Sequence, residues 1–593
     1  MKNIFNLVVV MLFIISCNKT KTNTYPVINS SQTVYADIVG QIIDETGKPI
    51  IGATVKTGNN TYITDSSGAF MFINVLTSKE RTIVEVSKQN FYKGFRTMYI
   101  IAKEDNYTRI MLIEKKAPST FLSTTGGDIE VVGGGKIIFE PNSIINKNTG
   151  ELYSGNVNVY STLLDPTDEN IHTKLPGALR AISEDAKEKI LETYGMIGVE
   201  MYDDNNQALQ IATNKTAEII FPIPASIKAS APNIIPLWYF DETIGMWIEE
   251  GEAQIQGNNY VGKVSHFTFW NFDIPSDFVQ LEATLKTSNG TPIVNVKVKI
   301  TNLANNSSRI SYTNSFGRVE GAVPINANLL FEVLLSECNT NIFSQNINTT
   351  TSDVSLNNII INPPALNNAV VSGTLLNCFN DPIKNGYIKF FSNNELKILK
   401  VSDNGNFVYN FLECVFPATI QFTPIDYAHN TFGNTQNFQI NSGYNNIGNL
   451  IACGQTYSQF IKWENNINGV KSSYTITDIL GFFVGTPYFR IKTGPDMNGI
   501  SGTDTFSYQG ITIAFDGSPS INGNHYLMYY GDHLDKDIDL DTTYSYINSI
   551  IPVYLSKYDT VGGMIEGSFE GSIQGHFIPN RNVKCNFSVK RTY

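Results

Sequence analysis

The sequence predicts an all-β protein, a string of β-sandwich domains followed by a C-terminal β-rich domain. Three observations carry this expectation. Short apolar runs with period-two alternation are separated by clusters of Gly, Asn, Asp, Ser and Thr, which is the punctuation of strands and turns. Helical periodicity is nearly absent from windows long enough to hold a helix. A chain of 593 residues also exceeds what one core can organise, so several domains of ordinary size are expected.

Hydrophobic residues make up 42% of the chain and charged residues 16%, with a formal net charge of −12. The surface is therefore sparsely charged and acidic in balance. No basic stripe of the kind that holds phosphates is visible, so nucleic acid is excluded as an expected partner.

The chain opens with "MKNIFNLVVVMLFIISC", in which Lys2 precedes an apolar core from Ile4 to Ile15 and Ser16 stands directly before Cys17. The apolar run is too short for a spanning helix. This segment resembles a bacterial lipoprotein signal. The resemblance implies removal of residues 1–16, a diacylglycerol on Cys17, and a membrane as partner through that anchor. Residues 17–35 are polar and read as a tether. The expected location is the cell envelope, at the outer membrane of a Gram-negative bacterium.

Residues 36–115 contain "DETGKPIIGATVKTGNNTYITDSSGAF". Gly47 and Pro49 set one turn, Ile50 and Val55 return to the core, and Asp65 with Gly68 builds a second turn before the buried Phe70. The stretch resembles the carboxypeptidase regulatory-like domain. That resemblance implies a seven-stranded transthyretin-like sandwich and no catalysis of its own. Two further copies are read from the order of their turns and strands. In residues 278–363, "LKTSNGTPIVNVKVKITNL" is followed by Asn314 and Gly317, with Val319 in place of the aromatic. In residues 367–453, Asp403, Gly405 and Phe407 restore the pattern with a shortened turn.

Residues 119–277 carry "TTGGDIEVVGGGKIIFEPNSI", "LPGAL", "LWYFDETIGMWIEEG" and "GKVSHFTFWNFDIP" in that order. The set resembles a β-rich module of cartilage intermediate layer protein. Gly133, Gly134 and Gly135 read as a tight turn, since no GK[ST] and no helix follow them. Trp238, Trp247 and Trp270 read as core residues, with a glycan-stacking platform as the alternative. The tail, residues 454–593, has paired-strand alternation at Ile565, Gly567, Phe569, Gly571 and Ile573, and the strand from Cys585 to Lys590 is expected inside a sheet. Its acidic run places Asp535, Asp537, Asp539 and Asp541 on one face of an extended chain. They form a candidate calcium site, and a solvated edge is the plainer reading because the EF-hand glycine is missing.

No catalytic signature appears. The 6 His form no HExxH or HxxE pair, and His266 reads as a hydrogen-bonded strand residue. No cofactor and no metal are expected. Setting Cys17 aside leaves Cys338, Cys378, Cys414, Cys453 and Cys585, an odd set in which at least one thiol is unpaired. Cys378 and Cys453 lie near the start and end of the last repeat, and they meet if its first and last strands are neighbours. The function read from these features is non-catalytic: a lipid-anchored envelope protein for adhesion, for capture of a glycan or envelope protein, or for module display. Two alternatives stand beside it, an accessory glycan or peptide hydrolase with its site in the tail, and a purely structural spacer.

Overall fold

The structure, a computed structural model, describes residues 32–58, 60–335, 340–362, 367–377, 380–384, 386–392, 395–427 and 431–456, together with the strand segments and Ile551 between 460 and 590. It is built almost wholly of strands, with one four-residue helix, Ile171–Lys174, and one 3₁₀ turn, Lys228–Ser230, among the described residues.

The first sandwich uses seven strands: β1 (Thr33–Ile43), β2 (Thr54–Thr57), β3 (Asn60–Ile63), β4 (Ala69–Ser78), β5 (Thr82–Ser87), β6 (Gly94–Met98) and β7 (Asp105–Met111). One sheet runs β4-β1-β7 and the other β3-β2-β5-β6. In the first, β1 lies antiparallel to β4 and parallel to β7. Ile38, Ile42, Val55, Phe70, Val84, Val86 and Ile110 fill the space between the sheets, as the β-branched and aromatic residues of alternating strands should.

The same wiring returns twice. Phe278–Lys286 is antiparallel to Arg318–Pro324 and parallel to Val354–Ile360. Asn368–Leu376 is antiparallel to Asn406–Leu412 and parallel to Gly443–Ile451. In each copy the chain leaves the central strand through a turn and returns to bridge it: Ile43 with Pro49, Lys286 with Pro292, and Leu376 with Pro382. The glycine of the second turn then caps the central strand, because its carbonyl accepts from Ile42, Leu285 or Leu375 at 2.8, 2.7 and 2.8 Å. Three copies with one hydrogen-bond pattern are more than shared alternation requires.

Two readings of these copies change. The last turn is not shortened, since Gly405 N donates to Ser402 O as Gly68 N does to Asp65 O and Gly317 N to Asn314 O. Ser402, not Asp403, therefore stands where Asp65 and Asn314 do. Val319 also finds its reason in the facing strand. Phe70 and Phe407 lie opposite Gly40 and Gly373, whereas Val319 lies opposite Ala283. A Cβ on Gly40 or Gly373 would come within 2.7 or 2.6 Å of the ring, so a large residue on one strand is matched by a small one on the other.

Residues 119–276 form one 13-stranded sheet system. Trp238, Trp247 and Trp270 are buried, and their indole N–H groups donate to the carbonyls of Asp273, Pro176 and His266, which closes the glycan-platform reading for these three. His266 sits in a bend rather than a strand, its ring edge-on to Tyr239 and tilted against Trp270. Gly133, Gly134 and Gly135 all have positive φ in the turn between Gly127–Glu130 and Lys136–Phe139. In the tail, Arg581–Lys590 lies between Phe460–Ile467 and Met564–Ile573 within a ten-stranded sheet.

Candidate functional site

The first sandwich is the hub of the described chain, touching the middle module and both later copies. Its β1 is buried on both faces: Ile38 and Ile42 face its own core, while Val39 joins Ala69 and Met71 against Tyr387, Leu396, Ile398 and Ile425 of the last copy. A strand that alternates between two apolar surfaces reads as a near-continuous apolar run, here "ADIVGQII", interrupted by Asp37 and Gln41.

The turns supply the polar contacts. Asp65 accepts from Ser67 N and Ala69 N, which shapes the second turn of the first sandwich, and its other oxygen meets Lys389 of the last copy. Burial alone would raise this carboxyl, but the Lys389 ammonium and the turn donors outweigh it and hold the group below its ordinary range. Asn314 shapes the equivalent turn of the middle copy, and its amide donates to Glu104 at 2.7 Å. Next to it, Ser315 N and Oγ donate to Asp105, and Ser315 Oγ accepts from Lys400 N of the last copy at 3.1 Å. Asp37 takes Lys400 Nζ at 2.7 Å and the Tyr387 hydroxyl. Three sandwiches thus meet on one enclosed polar cluster.

A second junction grips "LPGAL". Arg96 of the first sandwich donates to the carbonyls of His172 and Gly177, and Arg309 of the middle copy donates to those of Ala178 and Leu191. Burial first, and then the field of Arg309, Arg96, Lys297 and Lys299, pull the His172 pKa down to about 3, so this ring stays neutral. A planar guanidinium satisfies two carbonyls at once, which is why arginine stands at both places.

Among the described residues no group of three or more His, Cys, Asp or Glu is placed to hold a metal. Asp37 and Asp105 face one another, but at 4% and 0% exposure they are closed to any substrate. A cleft of about 520 Å³ between Ser276 and Asn328 offers one carboxylate, Asp277, which is already paired with Lys189 at 2.7 Å. Hydrolysis by paired carboxylates needs two.

Of the residues singled out in the sequence, Cys17, Cys378, Asp535, Asp537, Asp539 and Asp541 lie outside the described residues. Cys453 and Cys414 are each disulfide-bonded, and Cys585 is a buried free thiol. Cys414 follows the strand whose end pairs Leu412 with Asn368, while Cys453 follows the strand that pairs Ile451 with Leu376. Eight residues of strand separate those ends, roughly 26 Å, far beyond the reach of one S–S bond. The two cysteines therefore belong to different disulfides.

The polar cluster was not foreseen from the sequence. Its only signal there is Asp37 inside an apolar run, a charge where alternation offers no solvent face.

No protein-family model matches the chain. Cartilage intermediate layer protein 2 of Homo sapiens is 25% identical over 163 residues, 26% of this chain and 14% of that protein. Cartilage intermediate layer protein 1 of Mus musculus is 22% identical over 311 residues, 47% of this chain and 25% of its own length. The chain thus matches a quarter or less of either relative. Solved structures with some likeness include the shaft pilin SpaA of Lactobacillus rhamnosus GG, at 10% identity over 30% of this chain and all of that one with a TM-score of 0.15. BcpA, the major pilin subunit of Bacillus cereus, aligns at 8% identity over 56% of this chain and all of its own with a TM-score of 0.13. Scores of this size carry no argument about function.

Proposed function

We propose that the chain is a non-catalytic scaffold of the cell envelope, anchored through a lipid on Cys17, that displays a clamped set of β-sandwiches for adhesion or for capture of a glycan or envelope protein. The observation that supports this reading best is the junction itself. One carboxypeptidase regulatory-like module is used three times, and two of its copies spend their turn residues, Asp65 and Asn314, on contacts between modules rather than on a site open to solvent. The hydrogen-bonded turns at Asp65, Asn314 and Ser402 are the features that carry that module assignment.

The test has two arms, one in the native host and one with the soluble chain. Metabolic labelling with a clickable fatty acid is expected to mark the wild-type chain and not Cys17→Ala, and label on the variant would remove the anchor. The soluble chain from residue 32, incubated with casein and mixed polysaccharides with and without calcium or zinc, is expected to release no new amines or reducing ends. Turnover lost on mutating one or two carboxylates of the tail would replace this reading with the hydrolase.

Disulfide pairing belongs to the same proposal. Cys378 lies two residues past Leu376, as Cys453 lies two past Ile451, and those two are register partners. Cys338 lies three residues past Leu335, which lines a small cavity together with Leu412 and Cys414. Non-reducing peptide mapping is expected to find Cys378–Cys453 within the last copy and Cys338–Cys414 between copies. Recovery of Cys378 as a free thiol from oxidised protein would refute the first pairing.

A further inference from the structure

Asp37 and Asp105 are register partners on the parallel strands β1 and β7, which places their Cα atoms about 4.8 Å apart with both side chains on one face. Both are buried. The strand bulges between Ala36 and Ile38, and the Asp37 carboxylate there accepts from Asn74 N at 2.7 Å as well as from Lys400 and Tyr387. The Lys400 ammonium is thus spent on Asp37. Asp105 receives the Ser315 amide and hydroxyl and its own backbone amide, and among the described residues no ion pair is made to it. Around the pair, Glu104 is bound by Arg318, which also holds Glu320. Lys389 is bound to Asp65. Tyr387 and Tyr409 are held neutral, both chiefly by burial and then by nearby carboxylates, Asp37 and Asp105 for the first and Asp105 for the second. Two like charges side by side in an enclosed place share one cation, and one negative charge is left over.

We propose that the Asp37–Asp105 pair is a proton-binding site, and that uptake of one proton by Asp105 locks the junction of the first sandwich with the middle and last copies. The leftover charge is the physical cause. Neutral Asp105 keeps acceptor capacity for Ser315 and no longer repels Asp37.

Burial, working against the Ser315 hydrogen bonds and helped by Asp37, lifts the Asp105 carboxyl to about 6. The folded chain then binds one more proton than the unfolded chain between the ordinary carboxylate value and 6. Stability from this site is full below that window and is lost as pH rises through about 6. The shift corresponds to about a hundredfold in the folding equilibrium between pH 4 and pH 7.5. Other buried acids, among them Asp273 and Glu320, shift the same way, so the readout is the difference between wild type and variant.

Thermal unfolding of the chain from residue 32 is compared for wild type, Asp105→Asn and Asp37→Asn at pH 4.5 and 7.5. Asp105→Asn is expected to gain on wild type as pH rises, and Asp37→Asn to move the pH dependence to lower pH. Amide exchange at Ser315, corrected for intrinsic rates, is expected to slow in wild type at pH 5 relative to pH 7.5. This last readout stands even if a variant fails to fold. A wild-type-minus-Asp105→Asn difference that is constant with pH, or exchange at Ser315 that does not slow in acid, overturns the proposal.

Discussion

Gly317→Ala is expected to destabilise the middle copy by about 3 kcal/mol, while Gly290→Ala in the neighbouring turn costs about 1 kcal/mol. Both glycines have positive φ, at 74° and 86°, so each alanine meets the left-handed penalty. Their surroundings differ. A Cβ on Gly317 would lie 2.3 Å from the Leu285 carbonyl oxygen, whereas one on Gly290 meets nothing within 4 Å. That oxygen belongs to the central strand and cannot move without breaking the pairing of Phe278–Lys286 with its neighbours. The equivalent contacts at Gly68 and Gly405 are 2.4 Å to Ile42 O and 2.6 Å to Leu375 O, so Gly68→Ala and Gly405→Ala should behave like Gly317→Ala. Denaturant midpoints of the four variants check this, and equal losses at Gly290 and Gly317 would show that the close approach does not matter.

Arg309→Met is expected to cost roughly 3 kcal/mol and to loosen the middle module from the middle copy of the sandwich. The guanidinium donates to Ala178 O at 3.2 Å and Leu191 O at 2.7 Å. Its field, with that of Asp273 and Glu192 acting on it, belongs to the same enclosed region, and burial draws its pKa down to about 10, still fully charged at neutral pH. Methionine fills the volume but leaves two carbonyls without this donor. Arg309→Lys should recover less than half of the loss, because an ammonium lacks the fork that spans both acceptors. Limited proteolysis reports the local consequence, with faster cleavage within residues 165–179. Unchanged cleavage in Arg309→Met would mean the "LPGAL" segment is held by Arg96 and by the apolar contacts of Leu175 and Leu179 without help from Arg309.

The repeat was legible because each turn is a local device. Asp44 to Lys48 and Asp65 to Ala69 close their own hydrogen bonds within five residues, so Gly47, Pro49, Asp65 and Gly68 announce themselves without knowledge of the rest. The turn of the third copy is less legible, because serine can do locally what aspartate does and Asp403 stands directly after it. The bulk of the three tryptophans in the middle module signalled a core, and their indole donors found carbonyls within that module. Cys453 is disulfide-bonded, while Cys378, the partner expected for it, lies outside the described residues.

The sequence by itself determined the class, the turn grammar and the threefold use of one module, since alternation, glycine placement and turn side chains act over a few residues. Only the tertiary structure decided that Asp37 faces Asp105, that Lys400 and Ser315 arrive from two other sandwiches, and that Val39 is as buried as Ile38. Those partners are separated by 68 to 363 positions in the chain. Nothing in a local pattern specifies which distant surface will cover a second face, because burial of that face is a property of the assembled modules and not of the strand.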